Sequence, residues 1–245
     1  MATEAVFRIW RGDAEGGAHK DYVTSIEEGM VVLDAVHRIQ ANQAPDLAVR
    51  WNCKAGKCGS CSAEINGVPK LMCMTRLSTL KLETPVTIEP MHAFPVIRDL
   101  VTDVSWNFRA KKTIKKFRPR SPDFPDGTWK MQQADVERVQ EFRKCIECFL
   151  CQDVCHILRE HHKHEEFIGP RLLVYAAALE MHPLDVEDRV TELKQKHNIG
   201  YCNITTCCRQ VCPESITITE NAIIPLKERV VDRFFDPLKQ LFHII

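Results

Sequence analysis

Twelve cysteines fall in three groups of four in this 245-residue chain, and this arrangement constrains the fold more than any other feature. The first six residues show neither the basic and apolar regions of a secretory signal nor the Arg-rich opening of a transit peptide. We therefore expect reduced thiols, which favours metal ligands over disulfides. The groups are Cys53, Cys58, Cys61 and Cys73; Cys145, Cys148, Cys151 and Cys155; and Cys202, Cys207, Cys208 and Cys212.

The first group has the spacing of a plant-type 2Fe-2S site. Its first three cysteines read C-x4-C-x2-C, and the small and basic residues 54–57 suit a tight loop around an anionic cluster. Cys73 follows a predicted hairpin in which 62–65 and 68–72 flank the type I′ turn signal Asn66-Gly67. A four-thiolate zinc site is the alternative, but it usually shows two C-x2-C pairs. The x4 spacing favours the 2Fe-2S interpretation.

The second and third groups are two copies of the bacterial ferredoxin run. The second reads C-x2-C-x2-C-x3-C, in which the fourth cysteine ligates the other cluster of a two-cluster domain. The third matches the same run, with Thr205 at the second ligand position and Pro213 after the last cysteine. The crossing rule predicts a 4Fe-4S cluster on Cys145, Cys148, Cys151 and Cys212, and a second cluster on Cys155, Cys202 and Cys208.

Thr205 leaves the second of these clusters with three thiolates, which favours a 3Fe-4S cluster. Cys207 is then the spare cysteine. One interpretation is a free thiol packed beside the cluster. The alternative is that Cys207 completes a 4Fe-4S cluster, because it lies two residues from the missing ligand.

The remaining sequence predicts an α+β fold. A β-grasp, ferredoxin-like 2Fe-2S domain (1–101) is followed by a connector (102–130) and an all-α domain of bacterial-ferredoxin type (131–245), which holds two cubane-type clusters. The N-terminal domain is expected to contain a strand pair across a loop with Gly12, Gly16 and Gly17, a helix at 31–41, and strands at 63–72 and 86–89. Further helices are predicted at 135–145, 172–179, 186–197 and 225–242.

The connector is basic and proline-rich, which suits a solvated linker or a surface that docks on an acidic partner. Lys plus Arg and Asp plus Glu are both 33, so no positive surplus favours nucleic-acid binding. The sequence also lacks a GxGxxG fingerprint, a Walker lysine and a nucleophile elbow. Three clusters without an organic active site indicate an electron-transfer chain between two partners.

The order of these motifs resembles the iron–sulfur subunit of the succinate dehydrogenase and fumarate reductase family (complex II). The resemblance covers nearly the whole chain and includes the stretches 94–101 and 167–170. It implies the three ligand sets given above, a flavoprotein subunit that passes electrons from succinate through FAD, and a quinone held at the membrane-anchor subunits. It also implies a peripheral location on the cytoplasmic face of the cell membrane, as in a bacterial-type chain.

The sequence departs from the family near the expected quinone site. The proline and tryptophan that often follow the cysteine matching Cys155 are absent, and Asn203 replaces a frequent histidine. The resemblance thus gives only the region of the quinone site, around His156, Arg159 and Asn203. The run His161-His162-Lys163-His164 suggests either a proton relay to the quinone or, more simply, a solvated helix face.

Three other functions stay open at this stage. The first is fumarate reductase, since the subunit sequence does not set the direction of electron flow. The second is a ferredoxin-like carrier that serves another dehydrogenase or a heterodisulfide-reductase-type subunit. The third is a zinc-stabilised scaffold, which would be colourless.

Overall fold

The computed structural model describes residues 3–236. Its N-terminal part is a seven-stranded sheet with β2 added beside β1 and the other strands in the order β4-β3-β5-β1-β6-β7. Strands β1 and β5 run parallel, while the other pairs are antiparallel. The strands are β1 (Thr3–Asp13), β2 (Gly16–Ile26), β3 (Ser62–Ile65), β4 (Val68–Leu71), β5 (Val86–Glu89), β6 (Val96–Arg98) and β7 (Val101–Thr102).

The hairpin of β1 and β2 confirms the predicted strand pair. Its glycines, which were expected in the loop, lie within the paired strands. Alternate residues Ala5, Phe7 and Ile9 are buried, as expected for a strand with one face on the core. Gly12 pairs with Gly17 inside the ladder, so the turn is limited to residues 14–15. A Cβ on Gly12 would approach the facing backbone to 2.3 Å, which explains why glycines extend the strands here.

Helix α1 (Val32–Asn42) packs across the sheet through a buried stripe that includes Leu33, Val36 and Ile39. The β3–β4 hairpin has the predicted limits at its turn, where Asn66 and Gly67 adopt φ angles of 51° and 72°. Positive φ at both central residues is the requirement of a type I′ turn. Sheet, helix and hairpin together form the predicted β-grasp arrangement.

The C-terminal part is helical, with short helices around the cysteines. Its core surrounds α6 and includes the fully buried residues Leu158, Leu173 and Leu226. The helices are α2 (Ser105–Lys112), α3 (Gln133–Gln140), α4 (Leu150–Asp153), α5 (His156–Arg159), α6 (Gly169–Glu180), α7 (Val190–Gln195), α8 (Cys207–Gln210) and α9 (Ile224–Phe234). A π-helical turn (Ile218–Ile223) leads directly into α9.

Several predicted helix limits were wrong. The connector contains α2, and the helix predicted at 135–145 is α3 followed by a 3-10 turn (Glu141–Lys144). The helix predicted at 186–197 is confined to α7. The last one is observed as α9, and its predicted part beyond residue 236 lies outside the described residues. Within residues 3–236, no helix is long and apolar enough to cross a membrane.

Candidate metal centres

The first cysteine group surrounds a loop made by left-handed backbone. Lys54, Gly56 and Gly59 have φ angles of 54°, 67° and 67°. These turns aim the backbone N–H groups of Ala55 and Lys57 at the Cys53 sulfur, at 3.4 and 3.3 Å. Inward-pointing N–H groups around a sulfur are what an anionic cluster requires.

The fourth member, Cys73, joins this loop two residues after the end of β4. The backbone N–H of Cys73 donates to the Cys61 sulfur at 3.4 Å, and both residues are buried. Burial raises the pKa of Cys61 to about 12, although the hydrogen bond from the Cys73 backbone N–H acts to lower it. For Cys58, burial raises the pKa, but hydrogen bonds led by the Ser60 hydroxyl outweigh it and bring the pKa to about 6.

Cys145, Cys148, Cys151 and Cys212 line one cavity, as the crossing rule predicts. Burial raises the pKa of Cys148 to about 12 and that of Cys151 well above its ordinary value. Because buried thiolates need cations beside them, a metal cluster fits this donor set.

Arg171 gives a second indication that the cavity suits an anionic cluster. Its side chain lines the cavity and is 7% exposed, while one Nη atom bonds Glu147 at 2.6 Å. Its Nε is buried and has no hydrogen-bond partner within residues 3–236. A cluster with negatively charged sulfur would supply that acceptor.

Cys155, Cys202 and Cys208 line a second cavity. Burial raises the pKa of Cys155 to about 11 and that of Cys208 to about 12. Thr205 and Cys207 also line this cavity, and their Oγ1 and Sγ atoms lie 3.3 Å apart. The structure thus places the spare thiol directly beside the residue that replaces a ligand.

The two cavities repeat one backbone pattern. Glu147 and Phe149 have φ angles of 55° and 62°, and Ile204 and Thr206 have 60° and 61°. Each pair stands two and four residues after the first cysteine of its run. A 3-10 turn (Glu141–Lys144 or Ile199–Tyr201) precedes it and a short helix (α4 or α8) follows it. In this register Thr205 takes the position of Cys148.

Two family models match the chain in agreement with this division. Residues 6–109 match a 2Fe-2S iron-sulfur cluster binding domain, and residues 141–216 match a 4Fe-4S dicluster domain.

Similar proteins are the fumarate reductase iron-sulfur subunits of Mycobacterium tuberculosis and Escherichia coli, both 32% identical. The first alignment covers 80% of this chain and 79% of the relative, and the second covers 76% and 75%. This chain belongs to the family of succinate dehydrogenase and fumarate reductase iron–sulfur subunits. A chain of the solved Mycobacterium smegmatis Sdh1 complex in the apo form is 57% identical, with a TM-score of 0.93 over 97% of this chain and all of that chain.

The iron–sulfur subunit is thus a member of an oxidoreductase complex. Its three groups of cysteines lie next to one another in the structure. A Cβ on Gly59 would lie 2.7 Å from Cys148 Cα, so the first cysteine loop touches the second. The Ser62 hydroxyl donates to the Cys148 carbonyl at 2.8 Å. Cys151 and Cys208, one from each cavity, are both buried in the core of the helical domain.

Sequence reasoning missed a buried ionic joint between the two halves of the subunit. Glu64 on β3 is fully buried and forms a two-pronged ion pair with Arg159 at the end of α5. His92 Nδ1 lies 2.9 Å from the same guanidinium. Asp153 beside them accepts from the Ala93 N–H, and burial, with Glu64 nearby, raises the pKa of Asp153 to about 7.

Ligand atoms of Glu64, Glu89 and His92 come within 4.8 Å of one another, which is close enough for a metal ion. Arg159 already neutralises Glu64, however, and a guanidinium repels a cation. We therefore assign this group to the joint. No local sequence pattern predicts this ion pair, because Glu64 and Arg159 are 95 residues apart.

The expected quinone-site residues separate in the structure. His156 and Asn203 line the cavity of Cys155, whereas the Arg159 guanidinium points into the joint. The histidine run lies in the turn after α5, so its predicted place on a helix was wrong. His162 and His164 line a different cavity with His92 and Arg109, and burial lowers the pKa of His164.

Proposed function

We propose that this chain is the electron-transfer subunit of a succinate dehydrogenase that reduces a membrane quinone. Fe–S clusters accept and release one electron at a time, which is the chemistry such groups supply when bound. In the proposed direction, electrons enter from FAD in a flavoprotein subunit and leave to a quinone at membrane-anchor subunits. The first ligand set is Cys53, Cys58, Cys61 and Cys73 for 2Fe-2S; the second is Cys145, Cys148, Cys151 and Cys212 for 4Fe-4S; the third is Cys155, Cys202 and Cys208 for 3Fe-4S.

The observation that carries the proposal is that the three groups of cysteines lie next to one another. Gly59 touches Cys148, and Cys151 and Cys208 are buried in the same core, so no intervening domain separates one centre from the next. The chain's own residues hold the centres at fixed separations and keep water from them. Cys61, Cys148, Cys151 and Cys208 are all buried, which supports this role.

The surface near the first centre supports docking of a flavoprotein. Trp51 and Met74 are 47% and 57% exposed, which leaves apolar side chains open beside the loop. Lys54 lies over the Trp51 ring, and Lys57 is 73% exposed. An apolar patch with a basic rim favours a protein interface that has complementary acidic groups.

The surface near the third centre supports docking of the anchor subunits. Tyr201, Val231 and Phe235 are exposed and line a groove whose Lys227 donates to the Cys202 carbonyl at 2.6 Å. Apolar side chains this close to the last cysteine set suit a partner that brings the quinone. We place the quinone region at His156 and Asn203, on the cytoplasmic face of the membrane.

Purification of the complex through this subunit tests the proposal. We expect an FAD-bearing subunit and hydrophobic anchors to copurify, and we expect succinate-dependent quinone reduction to exceed quinol-dependent fumarate reduction. The oxidised complex should show a three-iron EPR signal near g = 2, at about one spin per chain when occupancy is full. Faster fumarate reduction would reverse the direction, and an isolated iron–sulfur chain would favour a freestanding carrier.

A further inference from the structure

The π-helical turn Ile218–Ile223 brings a hydroxyl to the third centre. Thr219 on this turn is 1% exposed, and its Oγ1 lies 3.6 Å from the Sγ of Cys208. The same side chain lines the cavity of Cys155 and Cys202. A π-helical turn inserts a residue into a helix and is frequent at functional sites, because it re-aims the side chains around it.

The direction of this hydrogen bond follows from the chemistry of Cys208. A cysteine that binds iron is a thiolate and has no proton to donate. The Thr219 hydroxyl must then be the donor and the sulfur the acceptor. Threonines in helices usually donate back to the carbonyl four residues before, but the only hydrogen bond found for this hydroxyl within residues 3–236 is to Cys208.

We propose that Thr219 donates a hydrogen bond to the Cys208 sulfur and thereby raises the reduction potential of the third centre. Hydrogen bonds to cluster sulfurs stabilise the more negative, reduced state, and burial strengthens this effect because the surroundings screen it little. Thr219 is therefore a positioning residue that tunes the potential of the last centre. The inference rests on the proposed function, because it takes Cys208 as a ligand of that centre.

Among its described lining residues, the cavity of the second centre has no Ser or Thr hydroxyl. Its charged lining residues are Arg171, whose guanidinium is buried, and Glu214. The third cavity contains no Lys, Arg, Asp or Glu among its described lining residues and relies on hydroxyl, amide and imidazole groups. A neutral hydrogen-bond donor at Cys208 raises the potential there without placing a buried charge.

The test is an EPR redox titration of the assembled complex with T219V, which keeps the shape of the side chain and removes its hydroxyl. We expect the ratio of reduced to oxidised third centre at a fixed potential to fall roughly threefold to tenfold; tenfold corresponds to about 59 mV for a one-electron couple. T219S should keep the wild-type ratio. T217V is the matched control, because Thr217 directly precedes the π-helical turn and its side chain bonds Glu141, with no hydrogen bond to a cysteine found in the described chain.

Each outcome separates the inference from the proposed function. A wild-type complex without a three-iron signal contradicts the proposed cluster type and leaves Thr219 to be judged by the titration of whichever centre is found. A T219V ratio equal to wild type overturns the inference. If T219V fails to assemble the centre, T219A replaces it; failure of both, with T219S intact, shows a role in assembly and overturns tuning.

Discussion

The two cavities of the helical domain share one backbone plan and differ in their linings. Both have a 3-10 turn, two left-handed residues and a short helix in the same order. The second centre's cavity adds a buried guanidinium, Arg171, whereas the third adds Thr205, Thr219 and the spare thiol of Cys207. The comparison shows that one backbone pattern brings the cysteines of each set together, whereas the other side chains that line the two cavities differ.

The largest expected effect comes from a variant that gives the third centre the same number of cysteine ligands as the second. T205C restores the missing thiolate at the position that matches Cys148, and iron in such clusters prefers soft sulfur to a hydroxyl. We expect about one more iron per chain, loss of the three-iron EPR signal, and a midpoint potential lower by at least about 100 mV. Iron analysis with EPR measures this, and T205S, which adds no thiol, is the control. A persistent three-iron signal in T205C would place residue 205 away from the cluster.

The next effect concerns the ionic joint of Glu64 and Arg159. Of the two cavities compared, the joint lies beside that of the third centre. Arg159 ends the short helix that follows Cys155, so R159M leaves the buried Glu64 without its guanidinium partner and with His92 Nδ1 at 3.3 Å. We expect a loss of about 3 to 5 kcal/mol in the free energy of unfolding, as for a broken buried ion pair. On warming, the third centre should be lost before the second, measured by EPR after heating.

The double variant E64L/R159M is the control for the joint. Replacement of both charges by apolar groups of similar size is often close to neutral, so it should recover most of the lost stability. Equal instability of the single and double variants would show that packing, not charge, holds the joint.

A smaller effect is expected from the cation of the second centre. R171M removes a buried positive charge beside Cys145 and Cys151, and net charge helps to set cluster potentials. The ratio of reduced to oxidised second centre at fixed potential should fall about tenfold, or about 59 mV. R171K should lie between R171M and wild type, because it keeps the charge but not the planar donor. A shift of the third centre instead would contradict the assignment of Arg171.

The smallest effect is expected from C207S. The Cys207 sulfur is held by Thr205 Oγ1 at 3.3 Å and by the Val154 carbonyl at 3.6 Å, which suits a free thiol beside the cluster. The three-iron signal should be unchanged, with a potential shift equivalent to less than about twofold in the reduced-to-oxidised ratio. Conversion of a four-iron to a three-iron centre in this variant would instead make Cys207 the fourth ligand.

The sequence predicted what is locally encoded. The β3–β4 hairpin follows from Asn66-Gly67, since only a short list of residues tolerates positive φ at both turn positions. The grouping of cysteines in the two cavities follows from the spacing of the bacterial ferredoxin run, in which the fourth cysteine belongs to the other set.

What the sequence did not predict depends on distant partners. Gln152 and Asp153 lie between two predicted ligands and are fully buried, yet their partners Asn107 and Ala93 stand 45 and 60 residues away. Polar residues such as these look solvent-exposed in a local pattern. The histidine run was placed on a helix for the same reason, whereas the chain turns there so that His164 packs against Trp106.

The contribution of Cys148 and Leu150 to the N-terminal core has a consequence for how electrons travel. Leu150 is 1% exposed among side chains of the β-grasp domain, so that domain cannot swing away without opening its own interior. This excludes a shuttle in which one half carries an electron from donor to acceptor by moving. The chain works as a fixed conductor, in which the pace of each hop depends on the spacing and energy levels of its centres and not on diffusion.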